Sequence, residues 1–310
     1  MIRLLFSAPA ADWPVWRPHL ERACAARGLS VAISDRAADP AAVDYVAYSP
    51  GGGLVDFAPF VRLKAVLSLW AGVERIVGNP TLTAPLARMV DPGLTQGMVE
   101  YVAGHALRHH LGIDGHLLRQ DGVWRHGEIP PLAGSRRVGV LGLGELGGAC
   151  AAALAGLGFD VAGWSRRPKA AGFATFAGEA ELAAILARSE ILVLLLPATA
   201  ATEGLMDAGR LALLPAGAVV INPGRGTLID DAALLAALDA GRLGHATLDV
   251  FREEPLPAGH PFWAHPKVTV TPHVASETRP ETAAETVAEN VRRMEAGEPL
   301  LHVVDRAQGY

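Results

Sequence analysis

The stretch from Arg137 to Gly148 reads Arg-Val-Gly-Val-Leu-Gly-Leu-Gly-Glu-Leu-Gly-Gly. Its first five residues have the apolar, β-branched composition of a buried strand, and the small residues from Gly148 onward favour a helix. Gly142, Gly144 and Gly147 lie between them at the Gly-x-Gly-x-x-Gly spacing of a dinucleotide-binding turn. The first glycine would form the tight turn, the second would let the backbone approach a pyrophosphate, and the third would allow close helix packing.

Two other interpretations of these glycines stay open at this point, an ordinary loop and a methyltransferase. The strand before them and the helix after them favour the dinucleotide site, because a glycine motif alone is weak evidence. Glu145 and Leu146 complete the turn at the helix amino terminus, which would face the phosphates. A methyltransferase would leave Arg225, Glu254 and His273 without a role.

Short β-type runs alternate with helical patterns, which indicates mostly parallel, doubly wound sheets. The stronger runs lie at 137–141, 160–164, 191–196, 218–222, 246–250 and 268–271. Weaker runs near the amino terminus lie at 2–6, 31–34, 45–48 and 65–69. The sequence therefore predicts an α/β fold of two doubly wound parallel-sheet domains. A Rossmann dinucleotide-binding domain at 94–281 is inserted in a smaller, flavodoxin-like substrate domain formed by 1–93 and 282–310.

Two helices are predicted to carry the chain between these domains. One follows the break at Pro92-Gly93 and runs from about 95 to 118, with Met98, Val102 and Ala106 at helical spacing. The other begins at Pro280, a residue well suited to the first turn of a helix, and continues almost to Gly297.

The composition limits the classes of partner. The chain has 310 residues, half of them apolar, which is enough for two domains with separate cores. A net charge of -5 would repel a phosphate backbone, so we expect no nucleic-acid partner. No apolar run is long enough to span a bilayer, no targeting signal is evident, and Cys24 and Cys150 match no disulfide framework. We expect a cytoplasmic protein without a membrane partner.

Arg225, Glu254 and His273 each follow the carboxyl end of a predicted strand, the edge at which open α/β sheets bind ligands. A guanidinium group can bind the carboxylate and the carbonyl oxygen of one molecule, and a protonated imidazole can deliver a proton to a ketone oxygen. A neighbouring carboxylate would stabilise that imidazolium. Each residue alone has a structural alternative, such as a salt bridge for the arginine. Together they predict the reduction of a small 2-keto acid.

The residues after the second strand of the cofactor domain predict the type of cofactor. An NAD site usually has an acid at this point, but this chain has Ser165, Arg166 and Arg167. A guanidinium can bind the extra phosphate of NADPH, so NADPH is predicted, with NADH as the weaker cofactor. A solvated basic turn that does not distinguish the two is the alternative. Pro197, beyond the strand at 191–196, lies on the same edge and is expected to line the cofactor site.

His105 and His109 are four residues apart on the predicted long helix, and His110 and His116 lie nearby. This spacing can hold zinc in other proteins. No glutamate accompanies the pair and no further ligand set is apparent, so we predict no metal requirement.

The pattern resembles the D-isomer-specific 2-hydroxyacid dehydrogenase family over nearly the whole chain. The resemblance rests on the segments 69–73, 142–147, 222–230, 248–255 and 271–276. Within that family, the chain looks most like the glyoxylate/hydroxypyruvate reductase A branch, through Trp164-Ser165-Arg166 and the terminal segment Val304 to Tyr310.

This resemblance implies that Arg225 binds the substrate and that His273 is the acid/base, with Glu254 as its partner. It also implies that the backbone of Ala71 and Gly72 receives the substrate carboxylate.

The family likeness further implies that Asp249 helps to position the nicotinamide carboxamide. A homodimer is expected, with a cleft between two domains that closes on the cofactor. The implied activity is the NADPH-dependent reduction of glyoxylate to glycolate and of hydroxypyruvate to D-glycerate.

Two alternatives stay open. One is a non-catalytic dinucleotide sensor on the same fold, as in one branch of the family. The other is a dehydrogenase for another 2-hydroxy acid, such as D-lactate or phosphoglycerate. Sequence alone does not distinguish which 2-keto acid is preferred.

Overall fold

Two parallel sheets organise the chain, for which a computed structural model describes residues 1–127 and 129–310. One unit consists of residues 1–94 with 277–310, and the second consists of residues 95–276. Each unit has a sheet and a buried apolar core of its own. The predicted class of two parallel-sheet α/β domains is confirmed, whereas the functional roles of the domains and their predicted boundaries stay predictions.

The smaller unit has a five-stranded sheet. Its strands are β1 (Ile2–Ser7), β2 (Val31–Ser34), β3 (Tyr45–Tyr48), β4 (Ala65–Ser68) and β5 (Leu86–Ala87). Their order is β2-β1-β3-β4-β5, and neighbouring strands pair in parallel, with Leu4 opposite Tyr45 in the centre. This is the flavodoxin-like order, as predicted.

The larger unit has a seven-stranded sheet. Its strands are β6 (Arg137–Leu141), β7 (Asp160–Ser165), β8 (Ala174–Ala177), β9 (Ile191–Leu194), β10 (Ala218–Asn222), β11 (Leu243–Leu248) and β12 (Val268–Val270). The order is β12-β11-β10-β9-β6-β7-β8, again parallel. The chain reverses direction across the sheet between β6 and β9, and such a switch point is where doubly wound sheets bind dinucleotides.

Helices cover these sheets. They are α1 (Trp13–Ala26), α2 (Pro92–His110), α3 (Ile113–Leu117), α4 (Glu145–Gly156), α5 (Gly178–Arg188), α6 (Ala208–Leu213), α7 (Asp231–Asp239) and α8 (Pro280–Glu295). Side chains of β9 alternate between two cores of the larger unit, because Leu192 and Leu194 belong to one and Ile191 and Val193 to the other. The sheet is therefore buried on both faces, as a parallel sheet requires.

The predicted helix from 95 to 118 differs from the observed one. It begins earlier, at Pro92, because the side chain of Asp91 accepts hydrogen bonds from the amides of Gly93 and Leu94 and caps the first turn. It ends at His110, since Gly112 has a φ of 63° and separates α2 from the short α3. Within the described ranges, no helix is both long and apolar enough to cross a membrane.

Candidate active site

The glycine-rich turn between β6 and α4 has the geometry that its spacing predicts. Gly142 has a φ of 104°, and a Cβ on it would lie 2.4 Å from the carbonyl oxygen of Leu195. A Cβ on Gly147 would lie 1.7 Å from the carbonyl oxygen of Gly142, so α4 can pack on the turn only with glycine there. These two glycines are required by the fold itself.

Gly144 has a different reason to be glycine. Chain neighbours aside, no atom of the described residues lies within 4 Å of the position that its Cβ would occupy, so packing does not exclude a side chain. Gly144 directly precedes α4, whose first amides belong to Glu145 and Leu146 and have no acceptor inside the helix. An open backbone beside free helix amides is what a pyrophosphate needs, so the turn fits a dinucleotide.

A basic loop follows β7 and touches this turn. The hydroxyl of the buried Ser165 donates to the carbonyl oxygen of Arg167 at 2.6 Å, which folds the loop back on itself. Arg166 and Arg167 are exposed, as is Lys169, whose ammonium group donates to the carbonyl oxygen of Leu143 at 2.6 Å. The ammonium group therefore lies beside the glycine-rich turn. Sequence reasoning missed Lys169, although it belongs to the same basic run.

Pro197 begins a tight loop shortly after β9. Its carbonyl oxygen accepts a hydrogen bond from the hydroxyl of Thr202 at 2.7 Å, and the same hydroxyl accepts from the amide of Thr199. The loop is thus held by its own side chains at the edge of the sheet where the glycine-rich turn lies. The predicted contact of Pro197 with a cofactor stays a prediction.

Arg225 lies in the loop after β10, and its half-buried side chain donates to the carbonyl oxygen of Gly224 at 2.7 Å. The flanking Gly224 and Gly226 have a structural reason to be glycine. A Cβ on Gly224 would lie 2.7 Å from the carbonyl oxygen of Leu194, and one on Gly226 would lie 2.0 Å from the backbone of Phe251. The arginine loop therefore packs directly on the segment that begins at Phe251.

Glu254 and His273 form a direct pair. The ring nitrogen Nδ1 of His273 lies 2.8 Å from Oε2 of Glu254, and Oε1 of the same carboxylate accepts the amide of Phe251 at 2.9 Å. A carboxylate accepts hydrogen bonds, so Nδ1 carries the proton and Nε2 is left for a substrate. The imidazole ring is about half exposed, so a substrate can reach it. The structure thus brings together two of the three predicted catalytic residues and places the loop of the third beside them.

Asp249 organises the turn that carries His273. Its side chain is fully buried, and its carboxylate accepts hydrogen bonds from the hydroxyl of Thr271 and from the amides of Val274 and Ala275. Its backbone carbonyl also accepts the amide of His273 at 2.8 Å. The predicted contact between Asp249 and a nicotinamide carboxamide stays a prediction. Sequence reasoning missed Thr271, whose only signal was its place two residues before the histidine.

Ala71 and Gly72 belong to the smaller unit, where they follow β4. Ser68 shapes this segment, because its hydroxyl donates to the carbonyl oxygen of Trp70 and accepts the amide of the same residue. Both predicted carboxylate-binding residues are half-buried. Their role in binding substrate stays a prediction.

The histidines of α2 are engaged with other side chains. His109 is hydrogen-bonded to Thr247 at 2.8 Å, and its ring lies 5.0 Å from that of His245, while the ring of His105 lies 4.5 Å from that of Tyr101. Burial lowers the pKa of His109 to about 3 and that of His245 to about 4. Over residues 1–127 and 129–310, no group of three or more His, Cys, Asp or Glu is placed to hold a metal ion.

Known proteins match this chain along most of its length. Residues 104–275 match the family model described as "D-isomer specific 2-hydroxyacid dehydrogenase, NAD binding domain". The glyoxylate/hydroxypyruvate reductase A of Yersinia enterocolitica is 42% identical over 259 residues, which cover 81% of this chain and 82% of the relative.

Solved structures agree with these matches. A D-isomer specific 2-hydroxyacid dehydrogenase from Xanthobacter autotrophicus Py2, in complex with NADPH and MES, is 45% identical with a TM-score of 0.90, and the match covers 99% of each chain. An NADPH-dependent glyoxylate/hydroxypyruvate reductase from Sinorhizobium meliloti, in complex with NADP and sulfate, is 34% identical with a TM-score of 0.88, over 100% of each chain. This chain therefore belongs to the D-isomer-specific 2-hydroxyacid dehydrogenase family, on its glyoxylate/hydroxypyruvate reductase A-like branch.

Proposed function

We propose that this protein reduces small 2-keto acids with NADPH, converting glyoxylate to glycolate and hydroxypyruvate to D-glycerate. The observation that carries the proposal is the 2.8 Å hydrogen bond between His273 and Glu254, on a sheet edge that also has a dinucleotide-binding turn. The names of the relatives from Yersinia enterocolitica and Sinorhizobium meliloti support the same activity.

Arg225, Glu254 and His273 each have one task in this reaction. Arg225 binds the carboxylate and the keto oxygen of the substrate with its planar fork of donors, which orients the keto carbon. Glu254 accepts a hydrogen bond from Nδ1–H of His273 and so directs Nε2 toward the keto oxygen. Bound NADPH supplies the hydride. His273 gives the Nε2 proton to the oxygen as negative charge develops there, and Glu254 stabilises the imidazolium before that transfer.

The basic loop after β7 is the proposed site for the 2'-phosphate of NADPH. Arg166 and Arg167 are exposed there, and the Lys169 ammonium group lies against the glycine-rich turn. No acidic residue occurs between 165 and 169, so nothing in this loop repels the phosphate. Three cations within four residues favour NADPH over NADH.

The larger unit is the proposed dinucleotide-binding domain and the smaller unit the substrate domain, which contributes the backbone of Ala71 and Gly72. We place the protein in the cytoplasm. The buried, unpaired Cys24 and Cys150 support a reducing compartment.

A homodimer is the last part of the proposal. Exposed apolar side chains are concentrated between residues 111 and 132, with Leu118 85% and Trp124 88% exposed. Others in the same segment are Leu111, Ile113, Leu117, Val123, Ile129 and Leu132. Monomers rarely expose so many large apolar side chains in one stretch, and a second copy of this chain would cover them.

The test of the activity follows NADPH absorbance after glyoxylate, hydroxypyruvate, pyruvate or phenylpyruvate is added to the purified protein, with NADH in parallel. Rapid oxidation with the first two acids, faster with NADPH than with NADH, is the expected result. Tight cofactor binding without turnover on any acid would overturn the proposal and favour a dinucleotide sensor. Turnover restricted to pyruvate would instead indicate a D-lactate dehydrogenase.

A further inference from the structure

The turn from Thr271 to Ala275 holds His273 in an unusual backbone conformation. His273 has a φ of 56°, in the left-handed region that residues other than glycine rarely adopt. Such a conformation is unfavourable for a residue with a side chain, and it persists where surrounding contacts define it. The contacts around this turn therefore decide where the imidazole lies.

One line of hydrogen bonds reaches this turn from helix α2. The phenol oxygen of Tyr101 lies 2.7 Å from the hydroxyl oxygen of Thr271, which lies 2.6 Å from Oδ1 of Asp249. The carboxylate in turn accepts the amides of Val274 and Ala275, the two residues that follow His273. Tyr101 and Thr271 are 170 residues apart in the sequence.

The direction of these hydrogen bonds follows from the single hydrogen that each hydroxyl group carries. A threonine hydroxyl has one hydrogen, and Thr271 donates it to the carboxylate of Asp249. The phenol of Tyr101 must therefore be the donor in the bond between the two hydroxyls. Burial raises the pKa of Tyr101, so the phenol keeps the proton that it donates.

We propose that Tyr101 is a positioning residue for the acid/base histidine: through Thr271 and Asp249, it fixes the turn that carries His273. This role rests on the proposed reductase activity, because a turn held in one conformation matters only if the imidazole transfers a proton. A misplacement of a catalytic group by about 1 Å is costly in rate, even when the substituted residue is remote.

The same helix supplies a matched control. His109, two turns after Tyr101, is hydrogen-bonded at 2.8 Å to Thr247, which lies within β11 rather than in the catalytic turn. Replacing Thr247 by Val removes a bond between α2 and the sheet that is only 0.1 Å longer than the one between Tyr101 and Thr271. A purely structural effect of losing such a bond should appear equally in both places.

The experiment measures kcat, KM and the solvent deuterium isotope effect for glyoxylate reduction in Tyr101→Phe, Thr271→Val and Thr247→Val. Tyr101→Phe keeps the ring beside His105 and removes only the donor, and we expect kcat to fall about tenfold while KM changes less than about twofold. The isotope effect should rise, since proton transfer becomes slower. Thr247→Val should keep the kcat and isotope effect of the unmodified enzyme.

Further variants make the outcome decisive. Thr271→Ser keeps the hydroxyl and should retain most of kcat, whereas the double variant Tyr101→Phe/Thr271→Val should lose no more than Thr271→Val alone, because the two groups act in series. Equal losses in Tyr101→Phe and Thr247→Val, or a change in KM alone, would overturn the positioning role. If the unmodified protein reduces no keto acid, the proposed function fails instead.

Discussion

His273 and Lys169 each make one hydrogen bond that assigns a separate chemical task. The imidazole is bonded to a carboxylate at one ring nitrogen, which leaves the other for proton transfer. The ammonium group belongs to the basic loop proposed for the 2'-phosphate of NADPH, and it is bonded to a backbone carbonyl of the glycine-rich turn. Loss of the His273 imidazole should affect turnover, and loss of the Lys169 ammonium group should affect cofactor affinity.

Replacing His273 by Ala should lower kcat for glyoxylate reduction by about 10² to 10⁴-fold, which is the usual contribution of general acid/base catalysis. NADPH binding, measured by titration of cofactor fluorescence, should change little. His19 replaced by Ala, in helix α1 of the smaller unit, is the control, and its kcat should equal that of the unmodified protein. Normal turnover with weakened substrate binding would contradict the acid/base role.

Lys169→Met should raise KM for NADPH by about tenfold, because a hydrogen bond to a charged group contributes roughly 1.5 kcal/mol. KM for NADH should change by less than about twofold, because NADH has no 2'-phosphate for Lys169 to bind. Lys267→Met is the matched control, because the ammonium group of Lys267 also donates to a backbone carbonyl, that of Leu238. Equal losses for NADPH and NADH would show that Lys169 supports only the loop.

Helix α2 contacts strand β11 and the turn after β12 through polar side chains, and it contributes apolar side chains to a core of the larger unit. Met98, Val102 and Ala106 are buried in a core of the larger unit, as their spacing predicted. Tyr101, His105 and His109 lie on an adjacent face at the same four-residue interval, and two of them bond threonines of the sheet and the turn. This interface contains histidines held neutral by burial.

These histidines should make stability depend on pH. The pKa of His109 falls from 6.5 to about 3 on folding and that of His245 to about 4, so the unfolded chain binds more protons below pH 6.5. The contribution of each histidine is therefore complete above that pH, and it is lost as pH falls from 6.5 toward about 4 for His245 and toward about 3 for His109. Between pH 7 and 5, each histidine should cost up to about 2 kcal/mol of the free energy of unfolding.

The measurement is urea unfolding at pH 7 and pH 5, for the unmodified protein and for His109→Gln. Glutamine cannot be protonated and can still bond Thr247, so the variant should lose less stability at pH 5. His19→Gln, in helix α1 and away from this interface, should behave like the unmodified protein. If His109→Gln lost as much free energy of unfolding between pH 7 and pH 5 as the unmodified protein, burial of His109 would not be the cause.

The exposed apolar side chains between residues 111 and 132 are the basis of the proposed homodimer. Its side chains include Leu118 and Trp124, both more than four-fifths exposed. Burying a large apolar side chain contributes roughly 1.5 to 3 kcal/mol, so a few of them at a symmetric interface can hold two copies together.

The double variant Leu118→Ser/Trp124→Ser should therefore shift the protein from dimer to monomer in sedimentation equilibrium at micromolar concentration. Val61→Ser is the control, because Val61 is 78% exposed but lies outside the segment, and it should leave the mass unchanged. A protein that is already monomeric without substitution would refute the proposed homodimer.

Much of the fold and part of the site followed from short-range patterns. Arg137 to Gly148 predicted the order of strand, turn and helix correctly, but helix α4 begins at Glu145, three residues before the predicted start at Gly148. The small residues from Gly148 onward indicated the helix without marking its first turn. The long helix was predicted with the wrong ends. Asp91 caps its start with side-chain hydrogen bonds, and Gly112 follows its end with a left-handed backbone conformation. Hydrophobic periodicity reports neither of these effects. The edge strand β8 was missed, because its exposed residues have no apolar alternation.

Order along the chain was sufficient for the α/β class and the glycine-rich turn, and it singled out Arg225, Glu254 and His273 as candidate site residues, because parallel strands bring their carboxyl ends to one edge. Tertiary packing alone decided that Tyr101 meets Thr271, and that Lys169 meets the backbone at Leu143. A hydrogen bond between distant elements depends on how those elements approach each other in space, and no periodic pattern in the sequence predicts it.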